Sequence, residues 1–147
     1  MIVTRSVKSI VLIFIQIICI VYLGLSGNLL PENIIIRIVM VFAGVIAIWA
    51  IMIMNIKFNV APDVVKNARL IKSGPYKFIR HPMYLSVFVI TLCWLIDYFT
   101  YSRMSVTLIL FVVIISKIKY EENLLKEAFP EYEEYQSKTK KFIPFIF

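Results

Sequence analysis

The sequence predicts an all-α integral membrane protein: a helical bundle of four transmembrane helices, followed by a C-terminal helix at the cytoplasmic interface. Three observations predict this class. Hydrophobic residues occupy 61% of the 147 positions, well above the share in soluble domains. The mean hydropathy is +0.85, and the apolar residues form long runs with basic residues at their ends, as expected when the bilayer is the main solvent. A chain of this length is expected to form one domain.

Four apolar segments account for the predicted helices: residues 10–25, Ile34–Ile56, 82–96 and 104–118. The second is long enough to cross a hydrocarbon core of about 30 Å, and the first can do so with its flanks. The last two are short for independent spans and are closely connected, so we expect an antiparallel hairpin that leans on its neighbours. The fourth segment continues as a polar helix that Pro130 should break, and the closing FIPFIF is expected to lie against the membrane surface.

Basic residues predict the orientation of these segments. Fourteen of the sixteen Lys and Arg residues lie before the first segment, between the second and third, or at and after the end of the fourth. Only Arg37 and Arg103 remain for the other side. Because Lys and Arg are enriched in cytoplasmic loops, both termini and residues 57–81 are predicted to be cytoplasmic. The Ile- and Lys-rich, Gly-poor composition indicates a prokaryotic source, and hence an inner (plasma) membrane.

The composition also argues against several other kinds of site. The net charge of +7 is placed at segment ends, without the basic stripe interleaved with aromatic residues that a nucleic-acid surface needs. Cys19 and Cys93 lie inside apolar runs with no Cys or His at metal-binding spacing, so they are predicted to be packing residues. No metal site is predicted, and the sequence does not indicate an oligomeric state.

Residues 72–85, KSGPYKFIRHPMYL, carry the first candidate site. Gly74 and the following proline predict a turn. Pro82 favours the first turn of the third helix, because its missing N–H costs nothing there. His81 precedes that proline and is therefore held outside the helical region, at the mouth of the helix. The unpaired N–H groups of such a helix start favour an anionic group, such as a carboxylate.

Side chains of several kinds converge on this helix start. Tyr76 and Tyr84 bring two aromatic faces, Arg80 brings a positive fork, and His81 is the only histidine of the chain. Taken singly, each is typical of a membrane interface, and a lone histidine in a basic loop is more often interfacial than catalytic. Their convergence is what favours a functional site.

The second candidate site is a carboxylate on the tail, in KIKYEENLLKEAF. On a helical wheel with about 100° per residue, Glu121 falls in the middle of the apolar stripe. A carboxylate on a buried face is costly unless it meets a partner or a ligand. A salt bridge to a Lys or Arg of the middle loop is therefore as well favoured as a functional role. The other tail charges are predicted to form a solvated face: Glu122, Lys126, Glu127, Glu133 and Glu134.

With these residues, the sequence resembles the isoprenylcysteine carboxyl methyltransferase family, to which the phospholipid methyltransferases are related. The resemblance runs from about residue 61 to the C-terminus and rests on an ordered set of short motifs between apolar segments. These are Ser73-Gly74-Pro75-Tyr76, Arg80-His81-Pro82-Met83-Tyr84, Glu121-Glu122, Tyr132, Tyr135 and Lys141-Phe142-Ile143-Pro144. Two positions depart from the family pattern: Lys141 stands where many relatives have Arg, and Ser86 where many have Gly.

The resemblance implies a membrane-embedded methyltransferase that binds S-adenosyl-L-methionine between the last two transmembrane helices and the tail. Residues 1–56 would then supply two N-terminal helices, and residues 57–147 the cofactor-binding loop, the hairpin and the tail. The residues implied to bind the cofactor are Tyr76, His81, Pro82, Tyr84, Glu121, Glu122, Tyr132 and Tyr135.

The acceptor implied by the resemblance is lipophilic and reaches the site from the bilayer. An isoprenylcysteine-like carboxylate and another small hydrophobic acid, thiol or amine are all open. The predicted catalytic residues are Glu121, Lys141 and Arg80. Arg80 or Lys141 would orient a carboxylate acceptor, whereas Glu121 or His81 would act as the base for a thiol or an amine.

Three alternatives come from other classes of protein. An NADPH-dependent membrane reductase is one, since sterol reductases share a similar C-terminal pocket without a Gly-rich dinucleotide loop. A small four-helix proton-coupled transporter is another. It would need an ionisable residue deep in a span, and the first two segments contain no Asp or Glu. The third is a membrane scaffold without catalytic activity.

Overall fold

The computed structural model of the protein describes residues 7–56 and 70–141, and within these ranges it is helical with no β-strand. This confirms the predicted all-α class. The bounds of the five α-helices and of one 3-10 helix are α1 (Val7–Leu25), α2 (Ile34–Ile56), the 3-10 helix (Gly74–Lys77), α3 (Pro82–Asp97), α4 (Tyr101–Ala128) and α5 (Tyr132–Lys138).

Helix α4 confirms the expected continuation of the fourth segment into the tail. The predicted apolar segment and its polar continuation form one helix of 28 residues, because no Gly or Pro interrupts the stretch. Its first turn is capped by the Thr100 side chain, which accepts a hydrogen bond from the N–H of Arg103 at 3.2 Å. It ends where Phe129 turns to extended backbone (φ −129°, ψ 107°), since the residue before a proline is disfavoured in a helix. The break at Pro130 is thus confirmed.

Three helices in the described part of the chain are long and apolar enough to cross a membrane: α1, residues Ile34–Met54 of α2, and α4. Helix α3 is apolar but has 16 residues, fewer than the roughly 20 that a typical span needs. The number of four spans therefore stays a prediction. Most apolar side chains of α1 and α2 are exposed, Phe14 and Phe42 by about two thirds, and this continuous apolar surface suits lipid.

Helix α3 lies at the centre of the bundle. It packs along α2 on one side and contacts α1 and α4 on the other, while α1 packs mainly along α4. The core between α1 and α4 is built from Cys19 and Leu23 against Leu110, Ile114 and Ile118. Both cysteines are buried free thiols, which agrees with their predicted role in packing.

Arg103 ties together the two connections at the end of the bundle where α3 and α4 meet. Its side chain is 1% exposed and donates to the Trp94 carbonyl at 2.7 Å and to the Ser26 hydroxyl at 2.6 Å. A Cβ on Gly27 would lie 2.8 Å from the guanidinium, so this glycine leaves room for it. Arg37, the other arginine of the charge count, donates to the Pro31 carbonyl at 2.9 and 2.7 Å. Both residues therefore stabilise connections in addition to their predicted effect on orientation.

Arg103→Gln is expected to lower the free energy of unfolding by about 2 kcal/mol, because two partly buried acceptors lose a charged donor. For a chain of this size, the apparent melting temperature of the detergent-purified protein should fall by on the order of 5 °C. Lys119→Gln, at an exposed position of α4, is the control and should melt with the wild type. Equal melting temperatures for wild type and Arg103→Gln would show that these bonds contribute nothing to stability.

Candidate functional site

The loop that leads into α3 is shaped by a glycine that no other residue can easily replace. Gly74 begins the 3-10 helix with a φ of +61°, a left-handed conformation that side chains disfavour. A Cβ there would also lie 2.1 Å from the Cδ1 of Ile53 on α2. The predicted Gly-Pro turn is therefore confirmed, and it lies directly against α2.

The same loop is bound to the tail by backbone and side-chain hydrogen bonds. Ile79 and Lys140 form a parallel bridge, in which the N–H of Arg80 donates to the carbonyl of Lys140 at 2.9 Å. The Tyr135 hydroxyl donates to the Tyr76 carbonyl at 2.6 Å. Two stretches separated by about sixty residues in the sequence thus form one layer over the ends of α3 and α4.

His81 occupies the position that the sequence predicted, at the mouth of α3. Its backbone is non-helical (φ −127°, ψ 58°), and Pro82 starts the helix. The buried imidazole lies between two carboxylates of α4: Nδ1 is 3.7 Å from an oxygen of Glu121, and Nε2 is 3.5 Å from an oxygen of Glu122. The two sequence motifs therefore meet in space, as predicted.

Glu121 is held by residues of α3. It accepts a hydrogen bond from the Tyr84 hydroxyl and has His81 beside it. Among the described residues it forms no salt bridge with a Lys or Arg of the middle loop, the alternative that the sequence left open; residues 57–69 of that loop lie outside the described structure. This carboxylate thus faces a phenol and an imidazole.

The expectation that Glu122 belongs to a solvated face is wrong. Its side chain is 6% exposed, with one oxygen 2.9 Å from the Nε of Arg80 and the other 3.2 Å from the Nζ of Lys141. The helical wheel treated α4 as an isolated helix, whereas the loop and the returning tail cover this side of it. The other four members of the predicted face are exposed, as expected: Lys126, Glu127, Glu133 and Glu134.

The Arg80 side chain forms hydrogen bonds with both α4 and the tail. Besides Glu122, its guanidinium donates to the carbonyl of Gln136 at 3.0 Å and to the carbonyl of Thr139. Through these contacts, Arg80 connects the loop, α4 and the tail. A role of Arg80 or Lys141 in orienting an acceptor stays a prediction.

Three tyrosines complete the layer: Tyr76, Tyr132 and Tyr135, all buried. Burial raises the pKa of the Tyr76 phenol to about 12, and the charge of Glu121 acts in the same direction. Burial likewise raises the pKa values of Tyr132 and Tyr135. All three are therefore neutral near pH 7 and can donate a hydrogen bond.

Three buried polar atoms around the two carboxylates have no hydrogen-bond partner in the described part of the chain. They are the hydroxyls of Tyr76 and Tyr132 and the Nε2 of His81, which has the Glu122 oxygen at 3.5 Å as an ion-pair contact but no hydrogen bond. Buried polar groups are nearly always satisfied in folded proteins. Three exceptions close to one pair of carboxylates are what a site for a polar ligand would show.

Sequence reasoning missed two residues next to this cluster. The Nζ of Lys117 donates to the side-chain oxygen of Gln16 on α1 at 2.6 Å and lies 5.0 Å above the ring of Tyr84. Two features of the sequence could have indicated these residues. Lys117 precedes Glu121 by one helical turn, and Gln16 is the only amide side chain in the first apolar segment.

These features define a class of protein: an integral membrane helical protein whose loop and tail close over a polar cluster at the ends of two adjacent helices. The chain belongs to the isoprenylcysteine carboxyl methyltransferase family, whose sequence profile matches residues 34–127. The match covers more than half of the chain and includes α2, α3 and nearly all of α4. The family predicted from the motifs is thereby confirmed; the match begins before residue 61 and ends before the tail motifs at Tyr132, Tyr135 and Lys141.

Two curated bacterial proteins are similar to part of the chain. The cobalt-zinc-cadmium resistance protein CzcN of Cupriavidus metallidurans is 32% identical over 87 residues, which is 54% of this chain and 37% of that protein. The nickel-cobalt-cadmium resistance protein NccN of Alcaligenes xylosoxydans xylosoxydans is 31% identical over 81 residues, 54% of this chain and 38% of that protein. The matched stretch thus spans little more than a third of these relatives. No solved structure matches the chain.

Gly74→Ala is expected to destabilise the protein by about 1–2 kcal/mol, because the new methyl group meets Ile53 and the left-handed backbone is strained. Gly44→Ala on α2 is a matched control, since a Cβ there has nothing within 4 Å. Thermal unfolding of both variants in the same detergent measures the difference. If Gly74→Ala melts with Gly44→Ala, the loop does not depend on close contact with α2.

Glu122→Gln is expected to cost about 3 kcal/mol of stability, because it leaves the buried Arg80 guanidinium without its counter-charge. The control is Glu134→Gln, which disrupts an exposed pair with Lys138 and should not change the melting temperature. A small effect of Glu122→Gln in the same thermal unfolding assay would contradict the proposed tie between α4, the loop and the tail.

Proposed function

We propose that this protein is an S-adenosyl-L-methionine-dependent methyltransferase that acts on a lipophilic acceptor at the cytoplasmic face of the membrane. The observation that carries the proposal is the meeting of His81 with the carboxylates of Glu121 and Glu122, at 3.7 and 3.5 Å, in a member of a membrane methyltransferase family. The alternatives of a transporter, a reductase or a scaffold have no comparable support.

The polar groups of the site suit the proposed cofactor. S-adenosyl-L-methionine has an amino group, a carboxylate and ribose hydroxyls, and small-molecule sites provide a few convergent polar groups for such a ligand. The unsatisfied atoms of Tyr76, Tyr132 and His81 are hydrogen-bonding groups of this kind. The start of α3 at Pro82 would favour the carboxylate, and Glu121 would favour the amino group.

The remaining proposed contacts follow from the family motifs. Glu122 would hold the polar end of the cofactor together with Glu121, and Tyr84 and Tyr135 would line the pocket. Glu122 is already bonded to Arg80 and Lys141, so its effect on the cofactor would be electrostatic or would require its partners to shift. Glu121, with a single hydrogen-bonding partner in Tyr84 among the described residues, is the better candidate for direct contact.

The chemistry demands little of the protein beyond positioning. The bound cofactor supplies an activated methyl group on its sulfonium, so the chain needs to align an acceptor with that group and exclude water. An acceptor dissolved in the bilayer would approach between the helices, while the loop and the tail close the site from the cytoplasm. The proposed orientation, with both termini cytoplasmic, rests on the distribution of fourteen against two basic residues.

Resistance to metal ions, named for the two relatives, is not proposed for this chain. The matched stretch covers little more than a third of either protein, and the activity of the whole relatives need not reside in it.

Glu121→Gln and His81→Ala are each expected to weaken binding of S-adenosylhomocysteine by at least about tenfold, because each removes a polar contact at the centre of the site. Isothermal titration of the detergent-purified protein measures the affinity. Glu127→Gln, an exposed carboxylate on the same helix, is the control and should bind like the wild type. The proposal fails if the wild type does not bind this ligand. If both variants bind it as the wild type does, Glu121 and His81 are not part of the binding site.

A further inference from the structure

Lys117 is a positive charge at the junction of three helices. It belongs to α4, donates to Gln16 of α1 at 2.6 Å and lies over the ring of Tyr84 on α3. It precedes Glu121 by four residues and therefore lies about 6 Å closer to the middle of α4. A partly buried ionisable side chain where three helices meet is costly and usually has a function.

The charge of Lys117 is not neutralised by an adjacent carboxylate. In the described part of the chain no Asp or Glu oxygen lies within ion-pairing distance of its Nζ, although it attracts Glu121 from one turn away. An ammonium has three N–H donors, and Gln16 accepts one of them. Within the described residues, the donors that Gln16 does not use are therefore available to an anionic group.

The other cations of the site are already occupied by the fold. Arg80 bonds to Glu122 and to tail carbonyls, and Lys141 lies against the second oxygen of Glu122. Their charges are needed where they are, because Glu122 would otherwise be a buried carboxylate without a partner. Lys117, by contrast, contacts residues of α1 and α3.

We propose that Lys117, held in place by Gln16, binds the anionic end of the acceptor and so selects a lipophilic acid or thiolate over an amine. This inference rests on the proposed methyltransferase function and deepens it. A protonated amine would be repelled by the ammonium, whereas an anion would gain a charge-assisted hydrogen bond. The Tyr84 ring lies 5.0 Å from the Lys117 ammonium, and its hydroxyl bonds to Glu121.

If the acceptor is an anion, the methyl transfer needs no base, because the acceptor has no proton to lose. A lone pair of the acceptor oxygen or sulfur forms the new bond to the methyl carbon, and the electron pair of the broken carbon–sulfur bond stays on the sulfonium sulfur. A negative and a positive reactant thus become two neutral products, and no proton moves. Lys117 takes no part in a proton transfer in this step, so its role is to orient the acceptor.

Amphiphiles that share one alkyl chain and differ in headgroup test this role of Lys117 by binding, without measuring turnover. The full chain in nanodiscs, saturated with S-adenosylhomocysteine, is titrated with dodecanoate, dodecylamine and methyl dodecanoate, with empty nanodiscs as the blank. Lys117→Gln should weaken dodecanoate binding by about tenfold or more, and Lys117→Arg, which keeps the charge, should restore most of it. Lys119→Gln, exposed on the same helix, should bind dodecanoate like the wild type.

The outcomes separate this inference from the proposed function. If the wild type binds S-adenosylhomocysteine but dodecanoate binds equally well to wild type and Lys117→Gln, the role of Lys117 is refuted and the methyltransferase proposal stands. If dodecylamine binds more tightly than dodecanoate, the predicted selectivity is refuted. If the wild type does not bind S-adenosylhomocysteine at all, the function on which this inference rests is refuted.

Discussion

The interaction on which the site depends is the buried ion pair of Glu122. A carboxylate that is 6% exposed requires compensation, and its partners come from two distant parts of the chain. Arg80 comes from the loop before α3, and Lys141 comes from the returning tail. Because the same guanidinium also bonds to carbonyls of the tail, neutralising one charge on α4 also brings the loop and the tail together over it.

Two neighbouring carboxylates on α4 consequently have different environments. About 100° of helix rotation separates them, so Glu122 points under the tail while Glu121 points towards α3 and its Tyr84 hydroxyl. His81 contacts both. This division of roles, one carboxylate committed to the fold and one turned towards α3 and Lys117, leaves the second as the group best suited to a ligand.

The opposite end of the bundle contributes rigidity. There Arg103 bonds to the end of α3 and to the turn after α1, and the Trp94 indole donates to the Leu29 carbonyl at 2.9 Å. In a bilayer, apolar burial adds little to helix association, so hydrogen bonds and close packing matter more. Bonds at this end hold α3 and α4 side by side, which keeps His81 and Glu121 in register at the other.

The sequence by itself determined the helical class, the bounds of α2, the Gly-Pro turn and the place of His81 before Pro82, because hydropathy, glycine and proline act locally on the backbone. It also indicated which motifs belong together through the family resemblance. Only the tertiary structure decided that Glu122 is buried and that Lys117 meets Gln16. Those environments depend on which distant segment covers a given side of a helix, and the periodicity of one helix carries no information about its neighbours.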